Sequence, residues 1–504
     1  MGRESTMGPA STVDERLMFR RDLFIGGAWL PPTSGRHVDV ISPSTEAPVG
    51  SVPQATDADI DRAVTAAREA FERGPWPRMT PAERADALDR AAVSLRERAA
   101  QIAAVTVDEM GCAISQAPQA QTGFTAALFD YYSSLARTFE FSRTVVAGPR
   151  AGLVDREPVG VVAVIVPWNA PVTLACWKAA PALAAGCPII IKPPPEAPLS
   201  NFILADALAE AGLPDGVVSV VPAGREVGEH LVTHPDIGKV AFTGSTAAGK
   251  RIMSLCGEQV KRVSLELGGK SAAVILDDAD IAAVIPRVVH DAMHLSGQVC
   301  GAHTRVLVPR PRYGTAVEAA AAAAAHVVTG DPHDPATLVG PLVAERQRDR
   351  VEAYIRLALD AGASVAHGGG RPAGLHRGWY VEPTILAGVD NAMRVAREEI
   401  FGPVLCLIAY RGDDEAVAIA NDSPYGLAGG VWSGDPYRAL ALARRLRTGS
   451  IAVNGAYPPF PLVPFGGFKE SGLGRELGPE GLLSFLEARS IGLPPPLHPH
   501  GEPG

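Results

Sequence analysis

The sequence predicts an α/β protein built from a doubly wound, Rossmann-like domain, a second α/β domain and a small β extension. Two observations predict it. Short apolar runs, VVAVIV (161–166), PIII (188–191), VVSVV (217–221), KVAF (239–242) and RVSLE (262–266), are mostly separated by helix-like segments. Continuous apolar strands alternating with helices are what a parallel sheet covered on both faces requires. Beyond Gly268 the pattern recurs, with AAVIL (272–276), TRVLVP (304–309) and PVLCLIAY (403–410) as strands and helices between them, including the alanine run Ala319 to Ala325.

Taken in order, the chain begins with a polar leader that has no apolar signal core. Gly2 and Thr6 match the short N-myristoylation pattern, but an unstructured start is the expectation. Residues 22–52 read as short strands punctuated by Gly and Pro. Asp57 to Glu72 has apolar residues at helical spacing, and Thr80-Pro81-Ala82-Glu83 is a capping box opening a helix that runs to about Met110. Phe124 to Phe141 is a further helix, and Thr144 to Asp155 reads as a projecting hairpin around Gly148 and Gly152. Ile451 to Val453 and Phe485 to Ile491 are late strands, and the tail PPPLHPHGEPG has too little apolar surface to fold.

At 504 residues, a length of about 150 residues per domain implies two to four domains. A net charge of −9 without any Lys/Arg block excludes a nucleic-acid or acidic-membrane surface, because both need a clustered basic face. No apolar run approaches the ~18 residues that span a bilayer. The six cysteines form no C-x-x-C pair, which argues against zinc and against a disulfide framework and for a reducing cytoplasm.

Ligands of a doubly wound sheet bind beyond the carboxyl ends of its strands. PWN (167–169), KPPPE (192–196), AGREVG (223–228) and FTGSTAAG (242–249) fall there. Gly244-Ser245-Thr246-x-x-Gly249 joins a strand to a helix and offers backbone N–H groups and a helix dipole to a pyrophosphate. It lacks the middle glycine of G-x-G-x-x-G, so alone it reads equally well as a plain helix start. Lys192 follows a buried strand and reads either as a ribose contact or as a solvated lysine.

Two reactive side chains stand in Gly-flanked bends: Glu266 in ELGGK and Cys300 in SGQVCG. With PWN, FTGSTAAG, EEIFGPV (398–404), the YGL turn at Tyr425 and PFGGFKESGLGRELG (464–478), they resemble, from about Leu23 to Leu493, the NAD(P)-dependent aldehyde dehydrogenases. The resemblance implies an NAD(P) domain over 20–141 and 157–267, a catalytic domain over 268–475 and an oligomerisation hairpin and strand over 142–156 and 476–493. The ends, 1–19 and 494–504, are expected to be flexible. The homodimer or homotetramer it implies would act on a small-molecule aldehyde, without nucleic acid, membrane or metal.

The chemistry these residues must perform is two-step. A thiolate adding to an aldehyde makes a tetrahedral thiohemiacetal whose collapsing oxyanion expels hydride. Cys300 is the cysteine in a polar Gly-flanked turn, whereas the other five read as inert packing residues. Asn169, with the Cys300 N–H, would form the oxyanion hole. Water must then cleave the thioester, and Glu266 is the candidate base; members of the family that pass the acyl group to coenzyme A usually lack this glutamate, so the resemblance implies a free acid product. By resemblance, Lys178 and Glu476 relay its proton. Glu399 and Phe401 hold the nicotinamide end, and Val166, Pro167, Trp168, Lys192, Pro194, Pro195, Gly224, Gly228, Phe242, Thr243, Gly244, Ser245, Leu267 and Gly268 complete the cofactor contacts.

The chain departs from the family pattern at K-P-x-E, where Pro195 replaces the glutamate that excludes NADP and Glu196 is shifted by one residue. NAD is still expected, with NADP as the alternative, because no arginine is expected nearby to receive the 2′-phosphate. Ala170 replaces the usual aromatic after PWN, which predicts a wider substrate tunnel. Ala170, Thr173, Leu174, Val299, Gly301, Tyr457 and Phe465 are its expected lining, suited to a bulky aromatic or terpenoid-like aldehyde. Two other readings compete: an acyl hydrolase pairing Cys300 with His294 or His303, which leaves the nucleotide-type sheet unexplained, and a catalytically silent binding protein.

Overall fold

In the computed structural model of the chain, which describes residues 15–494, the apolar runs become the parallel centre of an eight-stranded sheet. Its strands β1 (Val161–Ile165), β2 (Ile189–Lys192), β3 (Val218–Val220), β4 (Ile237–Thr243) and β5 (Arg262–Glu266) lie in the order β3-β2-β1-β4-β5. The order reverses at β1, so the loops leaving β1 and β4 part and open a crevice at their carboxyl ends. Helices α1 (Pro171–Ala185), α2 (Leu199–Glu210), α3 (Arg225–Thr233) and α4 (Thr246–Glu258) make the crossovers. Cores rich in Val, Ile and Ala fill both faces, as a doubly wound sheet demands.

The strands Leu23–Ile25 and Ala28–Leu30 close one edge of this sheet. Its other edge is closed by Gly472–Leu473, which runs antiparallel to β5 and pairs Gly472 with Glu266. A segment far along the chain thus returns to seal the first sheet.

The second sheet contains β6 (Ala272–Ile275), β7 (Arg305–Pro309), β8 (Ser364–His367), β9 (Thr384–Ala387), β10 (Val404–Tyr410), β11 (Ala428–Trp432) and β12 (Ser450–Val453). Their order is β8-β9-β10-β7-β6-β11-β12, all parallel except β8. β8, β9 and β11 were not expected. β8 and β9 are only four residues long, and β11 carries Gly429 and Gly430, which weaken any strand signal.

Asp57–Glu72 and Pro81–Glu97 start at the capping boxes of Thr56 with Asp59 and Thr80 with Glu83. The helix expected to continue to Met110 instead breaks at Arg98 (φ −96°, ψ 0°) and restarts as Ala99–Met110. Arg98 turns its guanidinium back to Ser94 and to Glu210 of α2, a tertiary tie that helical periodicity does not record. The hairpin strands Ser142–Ala147 and Arg150–Pro158 join Leu486–Leu493 in a separate three-stranded sheet.

Residues 15–19 are not the flexible start expected of them: Glu15–Met18 is a helical turn and Phe19 bridges to Ser51. The Gly2 to Thr6 pattern and nearly all of the proline-rich tail lie outside the described residues. Among the described residues no helix is long and apolar enough to cross a membrane.

Candidate active site

β5 ends at Glu266, and Leu267-Gly268-Gly269 carries the chain from the first sheet to the second. Both glycines are required by close approaches. A Cβ on Gly268 would stand 2.5 Å from Glu399 Oε2, and one on Gly269 would stand 2.4 Å from the Cys300 carbonyl oxygen. The turn therefore brings Glu266, Glu399 and Cys300 to one place.

The Cys300 loop is held in a strained shape. After the helix Ile281–Ala292, Leu295 (φ 48°), Ser296 (φ 57°) and Gly297 (φ 73°) are all left-handed, a conformation that costs of order 1–3 kcal/mol per non-glycine residue unless its surroundings enforce it. Here they do. Gln116 Oε1 accepts from Leu295 N–H (2.7 Å), Ser296 Oγ donates to the Gly340 carbonyl (2.9 Å) and Gln298 Oε1 accepts from Val343 N–H (3.1 Å). Asn169 Nδ2 donates to the Gln298 carbonyl (2.9 Å), which fixes the amide beside the thiol and leaves its second hydrogen available.

Cys300 is half-buried, whereas the other five cysteines are buried. Burial, then the carboxylates of Glu399 and Glu266, pushes its thiol up to about 12, against the N–H groups of Gly301 and Cys300 that favour the thiolate. Glu266 is 4 % exposed and its Oε2 has no hydrogen-bond partner. Burial and the Glu476 carboxylate push it well above the usual carboxylate range, opposed by Lys178 and Arg475. Lys178, 0 % exposed, pairs with Glu476 Oε1 at 2.7 Å and donates to Thr243 Oγ1 at 2.5 Å. Glu476 thus pairs with a buried cation whose field also reaches Glu266, an arrangement suited to moving a proton rather than to holding one charge.

A cleft of about 430 Å³ opens at the ends of β1, β2 and β4, with Ile165, Lys192, Gly224, Gly228, Phe242 and Ser245 among its walls. Ser245 caps α4 by accepting from Ala248 N–H (3.3 Å), which leaves the Thr246 and Ala247 N–H groups open to an anion. Burial lowers Lys192 to about 8 against the pull of Glu196. Apolar walls, open helix amides and a partly desolvated lysine fit a dinucleotide. Farther along, Trp168 meets Phe401 edge-on at 5.2 Å, and Glu399 accepts from Gly269 N–H at 3.0 Å while burial raises it to about 7.

Several of the expected cofactor residues also make contacts within the protein. Thr243 holds Lys178, Gly244 N–H donates to the Glu266 carbonyl (3.0 Å), and Leu267 packs beneath Gly249 with its N–H on Ser471 (2.8 Å). Val166 N–H donates to the Lys192 carbonyl (3.3 Å), so Val166 and Pro167 lead the chain off β1 to Trp168. Pro194 and Pro195 are not in the cleft wall, and Glu196 turns away to Arg346. The expectation that no arginine stands nearby is overturned: Arg225 and Arg251 both line the cleft. They are distant in sequence from Lys192, and only the crossovers α3 and α4 bring them alongside it.

A second cleft, of about 350 Å³, passes Val299, Gly301, Tyr457 and Phe465 as expected. Ala170, Thr173 and Leu174 are not in its wall. Ala170 caps α1, Thr173 Oγ1 donates to the Ala120 carbonyl (3.0 Å), and Leu174 packs on the core of the first sheet. The aromatic side is instead continued by Phe460, and Trp177 packs behind it, tilted against Phe460 and edge-on to Phe465. Phe460 was not among the expected lining residues, although it lies between Tyr457 and Phe465 in sequence. Neither His294 nor His303 hydrogen-bonds Cys300, and burial holds His303 at about 4, so no Cys–His dyad is formed. Among the described residues no His/Cys/Asp/Glu group suits a metal ion.

Comparison with known proteins agrees with this geometry. The profile of the aldehyde dehydrogenase family matches residues 29–491. Geranial dehydrogenase of Castellaniella defragrans is 47 % identical over 471 residues, covering 93 % of this chain and 98 % of that protein. Betaine aldehyde dehydrogenase 1 of Oryza sativa is 39 % identical over 480 residues, covering 94 % and 95 %. A crystal structure of a Mycobacterium tuberculosis aldehyde dehydrogenase complexed with NAD+ superposes with a TM-score of 0.93 at 44 % identity, covering 95 % of this chain and 99 % of that one. A mutant aldehyde dehydrogenase C from Pseudomonas syringae, in complex with NAD+ and octanal, gives 0.91 at 41 % identity, covering 96 % and 98 %. On the match over 29–491 and on relatives of this identity and coverage, the chain belongs to the aldehyde dehydrogenase family.

Proposed function

We propose that this aldehyde dehydrogenase converts a bulky aldehyde to the free carboxylic acid with Cys300 as nucleophile and Glu266 as the base of the second step. The observation that carries the reading is that the one cysteine not buried stands in a strained loop beside two carboxylates raised by burial. When bound, NAD supplies a hydride acceptor and a positively charged ring, chemistry the side chains lack. Lys192, Gly224, Gly228 and Ser245 hold the adenosine and phosphate end, and Glu399, Phe401 and Trp168 the nicotinamide end. NADP is a second cofactor on this reading, since Pro195 offers no carboxylate and Arg225 and Arg251 flank the cleft.

The chain's own residues account for the steps. Glu266 or water takes the Cys300 proton as the thiolate adds to the carbonyl carbon. The new oxyanion is met by Asn169 Nδ2 and the Cys300 N–H, each donor worth roughly 3–4 kcal/mol. Once the acyl group sits on sulfur, Glu266 takes a proton from the attacking water and passes it toward Glu476 and Lys178. The 47 % identical relative is a geranial dehydrogenase, and the aromatic cleft wall supports a terpenoid or aryl aldehyde here. The three-stranded sheet has exposed edges suited to pairing with another copy, which supports a homodimer or homotetramer. Six unpaired cysteines suit the cytoplasm.

The test is growth of NADH absorbance with geranial, benzaldehyde, octanal and acetaldehyde. Cys300→Ala should abolish turnover, by at least about 10⁴-fold. Acetaldehyde exceeding all the larger aldehydes in kcat/KM would overturn the substrate class, and silence with all of them would overturn the activity.

A further inference from the structure

The cofactor cleft carries charges that the contacts above leave unexplained. Lys192, Arg225, Glu229 and Arg251 are the charged residues in its wall. Arg225, Gly228 and Glu229 are spaced i, i+3 and i+4 along α3 and so lie on one face of that helix. Gly228 places Lys192 against the same face, since a Cβ there would stand 3.7 Å from Lys192 Cδ and 3.8 Å from its Cε. Arg251 comes from α4 and is met by Glu229: Nη2 donates to Oε2 at 3.0 Å and Nε to Oε1 at 3.4 Å. Arg225 Nε stands 3.5 Å from the same Oε1.

One carboxylate therefore engages both guanidinium groups. The hydrogen bond from Arg251 holds Glu229 below the usual carboxylate range, so it stays charged. None of the three is sealed: the side chains of Arg225, Glu229 and Arg251 are 83 %, 31 % and 49 % exposed, and a ligand in the cleft can reach them.

A dinucleotide brings two kinds of anion to such a cleft. Its pyrophosphate is served by the open N–H groups at the start of α4. The further phosphate on the adenosine ribose, which distinguishes NADP from NAD, is a compact dianion that needs guanidinium groups, because their fork of N–H donors matches its oxygens. Both arginines of the wall are already matched to a carboxylate. To bind them the phosphate must break those contacts and stand beside the Glu229 charge, whereas the hydroxyl of NAD requires neither. Proline stands at position 195, where the family pattern has a glutamate, and Glu196 is paired with Arg346. Glu229 is the carboxylate that remains in the cleft wall to discriminate.

We propose that Glu229 sets the cofactor preference: by occupying Arg225 and Arg251 it admits NAD and disfavours NADP. The proposal rests on the cofactor reading above. Calorimetric titration of the full-length protein with NAD+ and with NADP+, in the absence of aldehyde, tests it without turnover. NADP+ should bind the wild type about tenfold more weakly than NAD+. In Glu229→Gln the two Kd values should become about equal, because the guanidinium groups are released and one negative charge is removed. Adding Arg251→Gln to that variant should restore a preference for NAD+ of about tenfold. The NADP+ affinity gained in Glu229→Gln should also fade at high salt, as screening weakens contacts between exposed charges. Surface ion pairs add little to stability, so both variants fold.

A wild type that binds NADP+ as tightly as NAD+ overturns the proposal, as does a Kd ratio that Glu229→Gln leaves unchanged or a gain that survives the loss of Arg251. In those cases binding of NAD+ leaves the cofactor reading standing, whereas binding of neither cofactor removes both.

Discussion

Glu266 is a buried carboxyl set beside a second one, Glu476. A carboxyl held protonated by burial and by Glu476 must lose its proton to act as a base, so acyl-enzyme hydrolysis gains as pH rises through its raised pKa. The rising limb of kcat should thus lie above the ordinary carboxylate range and should vanish in Glu266→Gln. That variant should still release a burst of about one NADH per site in rapid mixing and then stall, with steady-state kcat down by about 10²–10⁴-fold; an unchanged steady-state rate would assign the base elsewhere. Lys178→Met strands the Glu476 carboxylate in a dry site, a loss of about 3–5 kcal/mol, visible as a lower thermal midpoint than Lys178→Arg gives. Glu266 and Cys300 were legible because their glycines are sequence neighbours. The destination of Thr243 was not, because its partner Lys178 lies in another crossover.

At the scale of elements, the Cys300 loop and the loop of Glu399 and Phe401 form one locked unit. A Cβ on Gly297 would stand 2.2 Å from the Gly402 carbonyl oxygen, and Phe401, at φ 64°, has its carbonyl held by Gln347 Nε2 at 2.7 Å. Gly297→Ala combines a positive φ with a backbone clash, so it should move the thiol. A fall in kcat/KM of about 10²-fold is expected, with far less effect on the thermal midpoint than on rate. Equal losses in both would mean that the loop matters for folding alone. Helix starts at Thr56 and Thr80 followed from capping boxes, whereas the break at Arg98 depends on Glu210 across the interface with α2. β11 escaped notice because its two glycines are poor strand formers; a Cβ on Gly430 would stand 2.8 Å from His303 Cε1, so the packing there leaves no room for a side chain.

For the whole molecule, the return of Gly472–Leu473 to β5 couples the two sheets around Glu266. The three-stranded sheet stands apart with Val145 and Val146 exposed. If the proposed homo-oligomer pairs through this sheet, Val145→Lys with Val146→Lys should give a smaller species in light scattering; an unchanged mass would overturn that pairing. Short-range periodicity and motif carry the α/β class, the alternation of strands and helices, the two candidate reactive side chains and the family. Which polar atoms meet is set by folding: Gln116 with Leu295, Lys178 with Glu476, and Arg225 and Arg251 beside Lys192. Those partners lie far apart along the chain, and only folding sets their distance, their burial and hence their charge.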